Sequence, residues 1–277
     1  MNYQTIVYEL RADGVALLTL NRPAQRNALS VQMREEIAHL LPLISHDAGV
    51  KALVLTGAGD HFCAGGDISG MRKPVTARTP ADSRDVLRDV HSWLPQLVGL
   101  EKPVIAAVDG ACYGAGFSLA LGADFVVCTP RARFCQAFVR VGLVPDFGAL
   151  FLLPRIVGLQ KAKELMFSGR VVEPEEARAL HIVFEIHPHE RLLAAALDLA
   201  ARFRDAPTES IGITKTLLNR SFQSDERLMG ELEAFAAATV KTLPYHQAAV
   251  GRFFAKEPVR FDWDRLAGEG NTNQGES

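Results

Sequence analysis

Residues 102–123, KPVIAAVDGACYGAGFSLALGA, constrain this chain more than any other stretch. The run 104–108 is continuously apolar and of strand length, as in a sheet buried on both faces. Asp109-Gly110 interrupts it with a turn pair. Gly114 then opens an apolar helix that reaches Leu121. A helix start carries unpaired N–H groups and the positive end of a dipole. Glycine and alanine there let a ligand approach the backbone. Such a joint holds an anion, or an oxygen that becomes one during a reaction. It is equally a tight packing joint between strand and helix, and on this stretch alone both readings stand.

The N-terminal half repeats the strand-then-helix pattern. Residues 4–9 and 15–20 flank the turn RADG at 11–14 and read as a hairpin. Ser30 reads as the N-cap of a helix to about Ser45, with Met33, Ile37, Leu40, Leu41 and Ile44 at helical spacing. A buried strand over 50–56 runs into GAGDHFCAGGD at 57–67. This alternation predicts an α/β fold with a largely parallel sheet and right-handed crossovers. The dinucleotide fingerprint fails, because GAGDHF places Phe62, and GAGFSL places Leu119, where the third glycine belongs. There is no GxxxxGK[ST] either.

Residues 69–82 are polar with two prolines and read as a mobile, lid-like loop before a helix over 83–100. Arg72, Lys73 and Arg78 are placed there to reach phosphates, or simply to be solvated. A strand over 124–128 and the segment 132–138 follow. In 141–158, Pro145-Asp146-Phe147-Gly148 caps a helix with Leu150, Leu153 and Ile156 on its apolar face. Beyond Leu159 the pattern is helical (159–167, 174–180, 189–205, 207–221, 224–243, 245–254), with one strand over 182–186. The expected organisation is an α/β core over 1–200, a helical region over 201–262 forming a second layer or an oligomer interface, and a disordered tail over 263–277.

The formal net charge of −2 gives no electrostatic basis for binding nucleic acid or an anionic membrane. Cys63, Cys112, Cys128 and Cys135 sit in apolar runs at no zinc-like spacing. They read as buried free thiols, with no metal site, in a reducing compartment. No apolar run approaches the ~20 residues of a membrane span, and the N-terminus lacks the pattern of a signal peptide. The expected location is the cytoplasm.

Two glycine-rich turns thus follow two buried strands: FCAGGD after 50–56 and YGAG after 104–108. Adjacent parallel strands end on the same sheet edge, where each turn can aim one backbone N–H at a single oxygen. That is an oxyanion hole built from main chain, suited to an enolate or a tetrahedral oxyanion.

With these motifs, and with NRPAQRNALS (21–30), LGADFVVC (121–128) and FVRVGLVPDFGALFLLPRIVG (138–158), the chain resembles the crotonase superfamily of enoyl-CoA hydratases and isomerases. The resemblance runs from the first strand to about Asp262. It implies a spiral of ββα units, a C-terminal helical region used in trimer assembly (a homotrimer or a dimer of trimers), and an acyl-CoA thioester substrate. Coenzyme A is then part of the substrate, and no separate cofactor is implied. Carried onto this sequence, the oxyanion donors are the amides of Gly66 and Ala115. Ala64, Gly65, Asp67 and Ile68 fall around the adenine and pantetheine, Arg26 near the phosphates, and Gly114 and Phe138 beside the substrate.

The chain departs from the hydratase pattern at two positions. Where hydratases of the family carry two glutamates that activate water, this sequence has Ser118 and Phe138. Ser118 reads as a small pocket-lining residue, or else as a nucleophile with no histidine adjacent in sequence. The remaining carboxylate is Asp146, at the position where some isomerases of the family carry their acid/base. The combination GAGFSLAL with GLVPDFG most resembles the branch containing 1,2-epoxyphenylacetyl-CoA isomerase. The expectation is therefore an enoyl-CoA isomerase in which Asp146 moves the proton and an apolar wall including Phe138 and Phe147 raises its pKa. Asp146 as a plain helix cap remains an alternative. So do hydration, thioester hydrolysis, ring opening, and a non-catalytic acyl-CoA- or RNA-binding role. Met71, Phe117, Phe138 and Phe147 point to an apolar or aromatic acyl group.

Overall fold

The computed structural model describes residues 2–67 and 79–263. Ile68, Met71, Arg72, Lys73 and Arg78, most of the expected lid, and the tail after Trp263 lie outside the described residues.

The hairpin forms as the sequence predicts. Strands β1 (Ile6–Leu10) and β2 (Val15–Leu20) pair antiparallel, with Ile6 opposite Leu20. Helix α1 (Val31–His46) starts at Ser30, whose Oγ accepts the Met33 N–H at 3.1 Å. Its buried face is Met33, Ile37, Leu40, Leu41 and Ile44, at the spacing that puts five side chains on one stripe. Then come β3 (Ala52–Gly57), α2 (Pro80–Val98), β4 (Val104–Val108), β5 (Ala111–Tyr113), α3 (Ala115–Leu121), β6 (Phe125–Cys128) and β7 (Arg133–Cys135). A 3-10 turn (Ala137–Val141) leads to α4 (Ala149–Val157), α5 (Leu159–Ser168), β8 (Val171–Val172), α6 (Pro174–Ala179), β9 (Glu185–Ile186), α7 (Leu192–Ala201), α8 (Thr208–Arg220), α9 (Glu226–Lys241) and α10 (Pro244–Ala255).

Six strands form one sheet in the order β1-β2-β3-β4-β6-β9, parallel from β2 onward. A second, smaller sheet, β5-β7-β8, lies in another layer. Isolated bridges Cys63–Cys112 and Leu29–Gly66 extend it beyond β5. Each central strand therefore continues into a short second-layer segment and then a helix: β2 to Leu29 to α1, β3 to Cys63 and Gly66 to α2, β4 to β5 to α3. This is the α/β spiral of ββα units that the resemblance implies.

Period-2 alternation fills both faces of the large sheet. Ala52, Val54, Ile105 and Ala107 point to a core completed by Leu192, Ala196, Leu199 and Ala200 of α7. Leu53, Leu55, Val104, Ala106 and Val108 point to the other core, with α1, α2, α3 and the second sheet. All four cysteines are free and buried. Burial pushes the Cys63 and Cys128 thiols up to about 12, which keeps them protonated and inert.

Several expectations are corrected. Segment 132–138 is split between β7 and the 3-10 turn. The strand over 182–186 shrinks to β9, because the Ile182 and Val183 amides fold back onto the Ala177 carbonyl at the end of α6. Leu150 is 57% exposed, so the buried face of α4 is Ala149 and Leu153. Phe117 is fully buried against Phe134 in the core, with ring centroids 5.4 Å apart, rather than lining a pocket. Trp263, placed with the tail by sequence, packs on Phe125 and Phe203. No helix among the described residues is long and apolar enough to cross a membrane.

Candidate active site

The two glycine turns meet where the second layer begins. Gly65 has φ +106, and a Cβ there would lie 2.9 Å from the Tyr113 carbonyl oxygen and 3.8 Å from the Ala115 nitrogen. Only glycine fits that conformation and that approach. The turn 63–66 is thus seated directly on the start of α3. Gly114, at φ 51 and ψ −120, is the N-cap of α3 and donates its N–H to the Cys135 carbonyl at 2.8 Å. Among the described residues, neither the Gly66 N–H nor the Ala115 N–H has an acceptor. Gly66 is exposed, and a Cβ on it would meet nothing within 4 Å. Both amides that the sequence marks as oxyanion donors are thus without an acceptor among the described residues, with open space beside Gly66. Helix α3 spans seven residues, so the amide itself matters more here than the helix dipole.

The Ala64 N–H donates to the Arg26 carbonyl at 2.9 Å, which fixes Arg26 beside this turn with its residue surface exposed. The Asp67 carboxylate is engaged by Arg22, 2.9 Å away, and Arg22 also bonds the Ala28 carbonyl. Asp67 therefore braces the turn. Sequence reasoning missed Asn27. It is fully buried, donates to the carbonyls of Ala58 and His61 at 2.9 and 2.7 Å, and accepts the Arg22 N–H at 2.9 Å. That side chain holds the loop leading into the glycine turn, and its only sequence signal is an asparagine shortly before α1.

On the other side, Phe138 is buried, with ring atoms 3.7 and 3.8 Å from where a Gly114 Cβ would stand. Ser118, on α3, is 0% exposed, and its Oγ lies 3.2 Å from both the Gly114 and Asp146 carbonyl oxygens. Asp146 is followed by two left-handed residues, Phe147 (φ 52) and Gly148 (φ 74). For Phe147 that conformation costs about 1–2 kcal/mol. It is held by burial of the ring, edge-on to Trp93 with centroids 6.4 Å apart. The cap of α4 is Gly148, with no side-chain cap bond, so the alternative that Asp146 serves as the helix cap is not what the structure contains. Among the described residues, Asp146 Oδ1 is buried without a partner. Burial pushes its carboxyl up to about 6, against the opposing charge of Arg34 on α1. Arg34 and Trp93 also escaped sequence reasoning; they reach this site from α1 and α2, far away in the chain.

A surface hollow of about 570 Å³, lined by residues including Val98, Phe151, Ile156, Phe184, Leu218 and Phe222, contains neither the glycine turns nor Asp146.

The profile of the enoyl-CoA hydratase/isomerase family matches residues 11–263. The chain belongs to that family. Within the crotonase superfamily it is similar to the 1,2-epoxyphenylacetyl-CoA isomerase of Escherichia coli strain K12, at 33% identity over 90% of this chain and 95% of the relative. It is also similar to the short-chain-enoyl-CoA hydratase of Clostridium acetobutylicum, at 34% identity over 85% and 89%. Among solved structures, an enoyl-CoA hydratase/isomerase from Cupriavidus metallidurans CH34 superposes with a TM-score of 0.89 at 38% identity, covering 94% of this chain and 97% of that one. The relatives of this chain thus include both isomerases and hydratases.

Proposed function

We propose that this protein is an acyl-CoA isomerase that stabilises a thioester enolate at the Gly66 and Ala115 amides and moves the proton with Asp146. The observation that carries the reading is the half-buried Asp146 carboxyl, with one unpartnered oxygen and a pKa pushed up to about 6. A carboxyl poised near neutrality both takes and returns a proton. Removing the proton next to the thioester carbonyl, or at the γ carbon, leaves a dienolate whose oxygen the two amides receive. Returning the proton elsewhere completes the double-bond shift. Coenzyme A enters as part of the substrate, and this chemistry uses no resident cofactor. Ser118 and Phe138 in place of the hydratase glutamates leave no second carboxylate to activate water.

The phosphates fall toward Arg26 and the adenine toward Ala64 and Gly65 in this reading. The C-terminal helices support a homotrimer or a dimer of trimers: Phe235, Phe253 and Phe254 of α9 and α10 are 71–77% exposed, more apolar surface than a lone subunit usually leaves in water.

The test is a panel of enoyl-CoA thioesters incubated in deuterium oxide. Isomerisation with deuterium incorporation and no gain of water is the expected result, and Asp146→Asn is expected to lower it by about 10²–10⁴-fold. Unchanged turnover in Asp146→Asn, or net hydration by the native enzyme, overturns the reading.

A further inference from the structure

We infer that the Ser118 hydroxyl is a positioning group that ties the Ala115 amide and the Asp146 turn into one unit. The inference rests on the isomerase reading and names how its two halves are held in register.

The geometry is specific. Ser118 Oγ is 3.2 Å from the Gly114 carbonyl oxygen and 3.2 Å from the Asp146 carbonyl oxygen. The Gly114 C=O and the Ala115 N–H are opposite ends of one planar peptide unit, so whatever holds the oxygen also aims the amide. The Gly114 contact alone is an ordinary back-bond from a helical serine to the carbonyl four residues earlier. The Asp146 contact is not, because it crosses 28 residues of sequence to another element. A hydroxyl has one proton to donate, so the two carbonyls compete for or share it, and Ser118 is the only side chain among the described residues that bonds both.

Both carbonyls also belong to their own local structure. The Gly114 oxygen accepts the Ser118 N–H at 3.0 Å, and the Asp146 oxygen accepts the Ala149 N–H at 3.0 Å. Ser118 therefore spans two preformed turns and adds the link between them. The turn at its far end contains the left-handed Phe147, a conformation that needs outside support. Among the described residues no histidine or carboxylate accepts from the hydroxyl, and it is fully buried, so none of them activates it as a nucleophile. The position that resembles a hydratase glutamate thus carries a short side chain that reaches backbone instead of water.

The test uses the full-length protein as Ser118→Ala and Ser118→Cys, the second filling similar space with a weak donor. With an enoyl-CoA thioester in deuterium oxide, Ser118→Ala is expected to lower kcat by about 10–100-fold with KM within about twofold. The acidic limb of its kcat–pH profile moves below that of the native enzyme as the released carboxyl meets water. Ser118→Cys is expected to follow Ser118→Ala. Wild-type kcat and pH profile in either variant overturn the proposal, since packing alone would then explain the serine. Backbone amide exchange over 146–149, read by mass spectrometry without substrate, separates this proposal from the isomerase reading. Faster exchange in both variants supports the link even if the native enzyme proves to do other chemistry, and unchanged exchange overturns it.

Discussion

Lys215 Nζ on α8 lies 2.7 Å from Asp124 Oδ2 at the start of β6 and also donates to the Lys102 carbonyl at 3.1 Å. Asp124 Oδ2 in turn accepts the Val104 N–H at 2.7 Å, so one carboxylate caps the entry of β4 and receives the ammonium. Lys102 continues the chain of contacts, donating to the carbonyls of Ile44 and Asp47 at the end of α1. Burial pulls the pKa of Lys215 down and the charge of Asp124 pulls it back, so the ammonium depends on its partner. This pair pins the helical C-terminal region to the sheet that positions the glycine turns.

Removing one member strands the other. Lys215→Met is expected to lower the unfolding free energy by about 3–5 kcal/mol in urea titrations. Adding Asp124→Asn should recover part of that loss, because the buried charge goes with it. Additive losses in the double variant would mean the two residues act independently.

Asp146→Asn should stabilise the protein while it inactivates it. The carboxyl has a pKa of about 6 in the folded state against 3.8 in its ordinary state, so the fold holds the proton more tightly than the unfolded chain does. Below about pH 4 both states are protonated and nothing is lost. As pH rises from there through about 6, the folded state loses stability. Asparagine carries no charge, so its Tm should exceed the native value at pH 7–8 and match it near pH 4, as measured by calorimetry at both pH values.

The same titration gives the activity profile. Proton abstraction requires the carboxylate, so kcat/KM should fall with unit slope as pH drops below about 6, measured by initial rates across pH 4.5–8. A profile flat through pH 5 would point to a different base.

Gly65→Ala is expected to cut kcat by about 10²–10³-fold, the scale of losing one oxyanion donor. The new Cβ would stand 2.9 Å from the Tyr113 oxygen at φ +106, and the relaxation that follows swings the Gly66 amide out of line. Steady-state kinetics beside far-UV circular dichroism separates that outcome from loss of fold.

Asn27→Ala removes three hydrogen bonds and leaves the part-buried carbonyls of Ala58 and His61 without that donor. A loss of about 3 kcal/mol in denaturant unfolding is expected, together with weaker thioester binding.

Much of this architecture follows from local chemistry. Ser30 caps α1 and the five-residue apolar stripe faces the core because spacing alone decides both. The strands 15–20 and 104–108 are as apolar as parallel strands covered on both sides must be. The glycines at 65 and 114 mark sites of close approach for the same local reason: a backbone that no side chain tolerates. The second sheet is different. Its strands β5, β7 and β8 have two or three residues each, and its bridges are single pairs, too short to leave a periodic signal.

By itself, the sequence determined the strands of the large sheet and the helices between them, the two small-residue turns, and the isolation of Asp146 once Ser118 and Phe138 occupy the hydratase positions. Only the tertiary structure decided what those residues do. It placed Gly65 against Ala115, left Gly66 and Ala115 without acceptors among the described residues, tied Asp67 to Arg22, and made Gly148 rather than Asp146 the helix cap. The physical reason is that burial and hydrogen-bond satisfaction belong to neighbours distant in the chain. The pKa of Asp146 is raised by desolvation, with Phe147 packed on Trp93 beside it and Arg34 opposing from α1, and no window of sequence contains all three.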